Sequence, residues 1–337
     1  MKWHMKTWLE EQLTLEVKKP MPVLSFPAIQ LLDISVKDLI SSSDRQAKGM
    51  KMIADQCDTG ASLSMMDLSV EAEAFGSQIK VTDDEVPTVV GRIINCEEDA
   101  DKLEIPKVGA GRTGLYIEAI EKALTLIQDR PVFAGAIGPF SLAGRLMDMT
   151  EIMVNCYMEP DMVHTTLKKT SQFITDYIKA YKAIGAHGVV IAEPAAGLLS
   201  PELIETFSSV YIKQIVEEVQ DEHFLVIYHN CGNTIPLIQS ILSIGAAAYH
   251  FGNAISMAEM IQLVPENVMI MGNVDPAGQF RNGTPESVRE ETYQIMKACC
   301  SHKNFIISSG CDIPPLASWD NIHSFFDAVK DFYYQTF

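Results

Sequence analysis

The sequence is poor in basic residues. Lys and Arg number 26 against 44 Asp and Glu, which gives a formal net charge of −18. A protein that binds nucleic acid needs a basic surface, so this charge argues against that class of partner. The chain also has no apolar run of bilayer-spanning length, and residues 1–6 lead into charged residues without the apolar segment of a signal peptide. We therefore expect a cytoplasmic protein without a membrane segment.

The sequence also lacks nucleotide-binding motifs and internal repeats. No run matches a phosphate-cradling glycine loop or a dinucleotide fingerprint, and no internal repeat is found. The seven cysteines should stay reduced in the cytoplasm, which favours metal binding or catalysis over disulfides. Cys231 and Cys311 are the candidates for such chemistry. The others lack ligand-like neighbours and are predicted to be small buried hydrophobic residues: Cys57, Cys96, Cys156, Cys299 and Cys300.

Short apolar runs alternate with longer amphipathic stretches along most of the chain. Eight runs are apolar throughout, as strands buried on both faces should be. These predicted strands are residues 22–26, 61–66, 132–136, 188–192, 225–229, 246–251, 268–272 and 305–308. Helical stretches lie between them, and Ser200-Pro201 and Thr284-Pro285 each place an N-cap residue before a proline. The pattern predicts an α/β fold, a (β/α)8 TIM barrel, which commonly needs about 250 residues.

The remaining length is assigned to two additions within a single TIM-barrel domain at 1–337. Residues 1–20 are predicted to form an N-terminal helical extension. Residues 76–114, an insertion after the second strand, are rich in acidic residues and end in three glycines and an arginine. We predict that this insertion is a long loop or small flap near the barrel mouth.

Metal-capable side chains follow two of the predicted strands. His229 and Cys231 end the fifth strand, and side chains at i and i+2 of a strand point to the same side. Cys311 follows the last strand, so one imidazole and two thiolates can meet at the carboxyl ends of the strands. Three such ligands with an open fourth position are typical of catalytic zinc, and soft thiolates favour zinc over magnesium or calcium. The alternative is a core histidine with two unrelated buried cysteines.

Other polar residues at strand ends are candidates for substrate or cofactor contacts. Glu193 is predicted to act as a general base, a weak fourth ligand or a partner of His229, unless it is simply a hydrogen-bonded carboxylate. Asp67 and Asp275 are candidates for holding substrate groups, although capping beside Pro276 accounts equally well for Asp275. Two asparagines at strand ends are predicted to contact substrate or cofactor, Asn233 and Asn253. His250 is not expected to be a ligand.

Four segments together resemble the uroporphyrinogen decarboxylase superfamily. They are Asp67 with Glu71-Ala-Glu-Ala-Phe-Gly76, Gly135-Ala-Ile-Gly-Pro-Phe-Ser141, His229-Asn-Cys-Gly-Asn233 and Gly272-Asn-Val-Asp-Pro276. The His-x-Cys pair with a late Cys is similar to the zinc-dependent branch, the methylcobamide:coenzyme M methyltransferases. The resemblance implies a TIM barrel and zinc ligands at His229, Cys231 and Cys311. It also implies a small thiol acceptor bound at the zinc and methylcobalamin supplied on a separate corrinoid protein; a homodimer is left open.

Two other functions are compatible with parts of the sequence. The decarboxylases of the superfamily need no metal, and Asp67 matches their essential aspartate by position. They hold their substrate carboxylates with arginines in a loop after the first strand, whereas residues 26–32 contain none. The third hypothesis is a non-catalytic module that binds a corrinoid protein or a thiol and has a structural metal. Coenzyme M would require a basic pocket for its sulfonate, and only Arg112 and Arg145 are candidates for it.

Overall fold

A computed structural model gives the structure of residues 3–336, in which seven parallel strands form one curled sheet. The strands in chain order are β1 Ser62–Leu63, β2 Gln78–Lys80, β3 Thr88–Val90, β4 Val132–Ile137, β5 Gly188–Ala192, β6 Leu225–Asn230, β7 Ala248–Phe251, β8 Met269–Val274 and β9 Phe305–Ser309. The curled sheet has the spatial order β1-β4-β5-β6-β7-β8-β9. Because every neighbouring pair is parallel, all the carboxyl ends lie at one edge of a TIM-barrel-like fold.

Helices connect the strands and cover the outside of the sheet. They are α1 Met5–Thr14, α2 Ala28–Leu32, α3 Val36–Ile40, α4 Ser43–Gln56, α5 Val70–Ala74, α6 Glu97–Lys102, α7 Thr113–Leu126, α8 Pro139–Met147, α9 Met149–Met158, α10 Pro160–Ala183, α11 Pro201–Ile204, α12 Val210–Val219, α13 Ile238–Leu242, α14 Met257–Met260, α15 Pro285–Cys299 and α16 Trp319–Thr336. Short 3-10 or π turns occur at Pro194–Leu198, Glu205–Ser209, Ile235–Leu237 and Pro276–Arg281. Ser200 and Thr284 cap α11 and α15 as predicted. Within residues 3–336 no helix combines the length and apolar character needed to cross a bilayer.

The predicted first strand, residues 22–26, is wrong. This segment lies between β9 and β1 but makes only isolated backbone hydrogen bonds, such as Ile313 N to Val23 O at 2.9 Å, next to the bond from Met21 N to Ile307 O at 3.0 Å. Proline at position 22 has no N–H to donate, and the amide of Val23 donates to Oγ of Ser309 instead of a strand carbonyl. The sheet therefore has seven regular strands, and an irregular segment occupies the place of the eighth.

The interior of the curled sheet is closed at the end where the strands begin. Met5 and Trp8 of α1 are buried in a cluster with Phe133, Leu225 and Met269, which lie near the starts of β4, β6 and β8. The Trp8 and Phe133 rings lie 6.1 Å apart. A helix thus occurs within residues 1–20, and it leaves the carboxyl ends of the strands open for chemistry.

The insertion at 76–114 contains regular structure. It consists of the antiparallel β2–β3 hairpin, then α6, then a glycine-containing turn that leads into α7. Nζ of Lys169 donates to the carbonyl of Ala100 at 2.7 Å and ties α6 to α10. The last residues of the insertion return to the strand ends, where Arg112 contacts Asp67. Whether the chain is one domain with two additions stays a prediction.

Candidate metal centre

His229, Cys231 and Cys311 lie together at the carboxyl ends of the strands. His229 is the second-to-last residue of β6, and Cys231 directly follows that strand. Cys311 lies two residues beyond the end of β9. In a flat sheet, the three strand spacings between β6 and β9 would separate them by about 14 Å. Because the sheet curls, one ligand atom from each residue lies within 4.8 Å of the other two. Among residues 3–336, no other group of three or more metal-capable side chains lies so close together.

The spacing and chemistry of these donors fit a zinc ion. Nε2 of His229 lies 3.5 Å from Sγ of Cys311. A tetrahedral site with Zn–S near 2.3 Å and Zn–N near 2.05 Å requires a nitrogen–sulfur separation of about 3.6 Å. The Cys311 thiol hydrogen-bonds to Cys231 and lowers its pKa despite burial, and the same contact raises the pKa of Cys311. A cation bound by both sulfurs would displace their protons.

A chain of hydrogen bonds behind His229 sets the position of its ring protons. Oγ of Ser308 donates to the carbonyl of Met21 at 2.8 Å and therefore accepts from Nε2 of His250 at 2.7 Å. Nδ1 of His250 then carries a lone pair and accepts from Nδ1 of His229 at 2.7 Å. Burial, together with neighbouring His229, lowers the pKa of His250 well below its usual range, in keeping with a neutral ring. Nε2 of His229 is consequently the unprotonated nitrogen that faces Cys311.

The turn between His229 and Cys231 is held from both sides. The Asn230 side chain is buried, and its Nδ2 donates to the carbonyl of Glu193 at 2.9 Å while its Oδ1 accepts from Gly232 N at 2.9 Å. On the other side Gly252 passes so close that a Cβ there would lie 2.5 Å from Cα of Cys231. A glycine is therefore required for the loop after β7 to pack against the metal-capable cysteine.

Glu193 contacts a helix terminus and lies outside the metal-capable group. Its side chain is fully buried, and its two carboxylate oxygens accept from the amides of Phe140 at 2.8 Å and Ser141 at 2.9 Å. Oγ of Ser208 adds a third donor. Burial raises the pKa of Glu193 to about 7, although these hydrogen bonds oppose the rise. The contacts are those of a carboxylate that anchors the start of α8 above β5, and a catalytic role for Glu193 stays a prediction.

Asp67 follows β1 and is surrounded by donors. Its Oδ1 accepts from the amide and hydroxyl of Ser69, and its Oδ2 accepts from Arg112 and from the hydroxyl of Tyr116 at 2.9 Å. Arg112 is shared with Glu73, whose carboxylate lies 2.6 Å from Nε. The Asp67 side chain is fully buried. Both of its oxygens are thus engaged, and its predicted role in catalysis stays a prediction.

The other residues predicted to contact substrate or cofactor are not members of the metal-capable group. Asp275 accepts from the amides of Ala277 and Gly278 at 2.9 Å, which is the capping arrangement considered as its alternative. Asn253 is exposed and packs against Gly310, the residue before Cys311. Asn233 is exposed in the loop after β6. Their roles in binding stay predictions.

Sequence reasoning placed His250 near the centre but missed the role of two residues that act on the centre through His229. They are His250 and Ser308, which form the hydrogen-bonded chain described above. One signal was available, because β6 and β7 both carry a histidine near their ends, and these are register partners in the sheet. Nothing in the sequence marked Ser308, because its contact with His250 spans strands that are not neighbours.

Comparisons with known proteins place the chain in a family. The model of the family described as Uroporphyrinogen decarboxylase (URO-D) matches residues 27–332. The chain belongs to the uroporphyrinogen decarboxylase family. Within this family, the chain is 29% identical over 277 residues to the methylcobamide:CoM methyltransferase MtbA of Methanosarcina acetivorans, covering 80% of this chain and 78% of that protein. It is 27% identical over 284 residues to the uroporphyrinogen decarboxylase of Chloroherpeton thalassium, covering 80% and 79%.

A solved structure agrees with the family assignment at the level of the fold. A methyltransferase from Methanosarcina mazei superposes with a TM-score of 0.85 at 21% sequence identity, covering 98% of this chain and 99% of that chain. The resemblance stated from the four sequence segments is thereby confirmed for the family and for a TIM-barrel-like fold. Since methyltransferases and decarboxylases are both among the relatives, the site itself has to distinguish between their activities.

Proposed function

We propose that the protein transfers a methyl group from a methylated corrinoid, carried by a partner protein, to a small thiol bound at a zinc ion. The observation that carries this proposal is the convergence of His229, Cys231 and Cys311 within 4.8 Å at the open end of the strands. Within residues 3–336, only these three side chains belong to the group. A tetrahedral zinc bound to them would therefore have a fourth position for a substrate. The name of the methyltransferase relative supports the same reaction.

The protein side chains prepare the site in three ways. His229 presents an unprotonated Nε2, because Nδ1 donates to His250. Cys231 and Cys311 supply two thiolates, which together cancel the double charge of a zinc ion. A zinc ion bound there would lower the pKa of an incoming thiol and hold its sulfur at the mouth of the barrel. Since the two thiolates would neutralise the cation, that sulfur would keep its electron density and remain a nucleophile.

The methyl transfer itself balances without a further reactant. The electron pair of the acceptor sulfur forms the new S–CH3 bond, and the pair of the Co–CH3 bond stays on the cobalt, which leaves as cob(I)alamin. The thiol proton would be released to solvent when the sulfur binds. The chain must align sulfur and methyl carbon and exclude water from the mouth, while the corrin supplies the leaving group.

The decarboxylase alternative receives less support from the structure. In that reaction Asp67 would act on a tetrapyrrole, but its oxygens are engaged by Arg112, Tyr116 and Ser69. The segment 26–32 contains no arginine, and Gln30 within it donates to the carbonyls of Pro315 and Ala317. A purely structural metal, the third hypothesis, would be expected to have a fourth protein ligand.

A metal assay coupled to corrinoid spectroscopy tests the proposal. We expect about one zinc per chain, and cob(I)alamin to appear when methylcobalamin and a thiol are added. Cys231→Ala and Cys311→Ala should each abolish zinc retention and methyl transfer. Cys96→Ala is the matched control, because Cys96 is exposed, contrary to its predicted burial, and lies outside the group. Protein that cannot take up zinc, or that keeps its activity without both cysteines, would refute the proposal.

A further inference from the structure

Arg145 differs from every other arginine of the chain. Six of the seven arginines make an ion pair or a hydrogen bond in the structure: Arg45, Arg92, Arg112, Arg130, Arg281 and Arg289. Within residues 3–336, Arg145 makes neither. Its side chain is nevertheless half-buried. A guanidinium group with five N–H donors is costly to remove from water without an acceptor, so this placement calls for a binding partner from outside the chain.

The position of Arg145 is set by the same elements that form the metal centre. It lies on α8, one turn after Ser141 and therefore on the same face of that helix. The amide of Ser141 donates to Glu193, which directly follows β5, and the hydroxyl of Ser141 accepts from Ala195. Glu193 in turn is bonded through its carbonyl to Asn230, between His229 and Cys231. Hydrogen bonds therefore connect the helix that carries Arg145 to the turn between His229 and Cys231.

Arg145 lies on the side of the sheet edge where Asp67 lies, because Asp67 follows β1 and β1 pairs with β4, the strand that leads into α8. Burial lowers the pKa of Arg145, and the Asp67 carboxylate opposes this effect. Asp67 does not bond to Arg145, because its oxygens are already taken by Arg112, Tyr116 and Ser69. Arg145 is thus a cation that lies near the Asp67 carboxylate but forms no ion pair with it.

We propose that Arg145 binds the anionic end of the thiol acceptor, a sulfonate or carboxylate, while the sulfur lies at the metal centre. The inference rests on the proposed function and specifies its substrate class. Guanidinium groups bind such oxyanions through two parallel N–H···O bonds, which fix orientation as well as charge. The structure separates the two arginines considered from the sequence, because Arg112 is already paired with Asp67 and Glu73.

Three thiols of similar length and different end groups test this assignment. They are 2-mercaptoethanesulfonate, 3-mercaptopropionate and neutral 2-mercaptoethanol, each used with methylcobalamin and the zinc-loaded protein. We expect lower KM values for the anionic thiols, and the relative KM of the sulfonate and the carboxylate identifies the preferred end group. Arg145→Gln should raise the KM for the anionic thiols about 10- to 100-fold, as expected for loss of a charged hydrogen bond. Its KM for 2-mercaptoethanol, its kcat and its zinc content should stay near the wild-type values.

Controls distinguish binding from a structural effect. Arg145→Lys should restore part of the selectivity, because it keeps the charge and loses the paired geometry. Arg281→Gln is the matched control for loss of a positive charge, since Arg281 also follows a strand of the sheet but donates to the carbonyl of Leu316. Equal losses for neutral and anionic thiols in Arg145→Gln would assign the residue a structural role and overturn the inference. A wild-type protein that methylates all three thiols with the same KM would also overturn it, while leaving the proposed function intact.

A binding experiment keeps the inference testable if no thiol is methylated and the proposed function fails. Ethanesulfonate has the anionic end without a sulfhydryl group, so its binding does not depend on methyl transfer. Ligand-observed NMR should show that it binds the wild-type protein and the Arg281→Gln variant. Loss of that binding in Arg145→Gln supports an anion site, whereas absence of binding to the wild-type protein, or unchanged binding to Arg145→Gln, refutes it.

Discussion

Replacing His250 by phenylalanine would test whether residues behind the metal centre control it. The substitution keeps a ring of similar size at a position that is 3% exposed. It removes the nitrogen that accepts a hydrogen bond from Nδ1 of His229. Without that acceptor, the ring of His229 is free to rotate or to place its proton on Nε2, the atom that faces Cys311. We therefore expect weaker zinc binding although none of the three ligands has changed.

The expected loss follows from the contacts that remain. Removing a hydrogen-bond partner behind a metal ligand typically weakens metal binding about 10- to 100-fold. The carbonyl oxygen of His250 lies 3.3 Å from Nδ1 of His229 and would survive the substitution as a weaker acceptor. The loss should consequently be closer to tenfold, or about 1.4 kcal/mol. Ser308→Ala should have a smaller effect, because it leaves the contact between the two histidines in place.

Competition with a chromophoric zinc chelator would measure this loss in affinity. His323→Phe is the matched control, since His323 is exposed on α16 and lies outside the centre. Circular dichroism and Tm would show whether the His250→Phe variant remains folded. If the folded variant bound zinc as tightly as the wild-type protein, while Cys311→Ala lost the metal, the inferred hydrogen-bonded chain would have no influence on the site and the reasoning would be refuted.

Two further predictions concern stability and packing. Burial raises the pKa of Glu71 from 4.5 to about 7, so the folded chain holds a proton that the unfolded chain releases, and the free energy of unfolding should fall as pH rises from 4.5 to 7. Urea unfolding at pH 5 and pH 8 would measure this fall in the free energy of unfolding. In Glu71→Gln the fall should be smaller by on the order of 3 kcal/mol. An unchanged pH dependence would contradict the assignment. Gly252→Ala should displace the backbone at Cys231, because its Cβ would lie 2.5 Å from Cα of that residue, and so reduce both zinc content and Tm. Full zinc content at an unchanged Tm would show that the loop accommodates the methyl group.

The metal-capable group could be predicted because its geometry follows from rules that act locally. The i, i+2 spacing of His229 and Cys231 places them on one side of a strand, and parallel strands bring Cys311 to the same edge. The first strand could not be predicted correctly, because an apolar run does not reveal whether its amides have strand partners. Val23 donates to a serine hydroxyl there, a contact that depends on where β9 lies.

The sequence alone determined the family, the α/β class and the chemical type of the site. These properties depend on residue identity and short-range periodicity, which are present before any packing is known. Only the tertiary structure decided which charged groups are already paired and which are left for a ligand. Asp67 and Arg112 are 45 residues apart in sequence and are joined in the structure, whereas Arg145 has no partner in the described chain. Such pairings depend on how separate loops meet at the curled edge of the sheet, and that relation is set by the packing of the whole barrel.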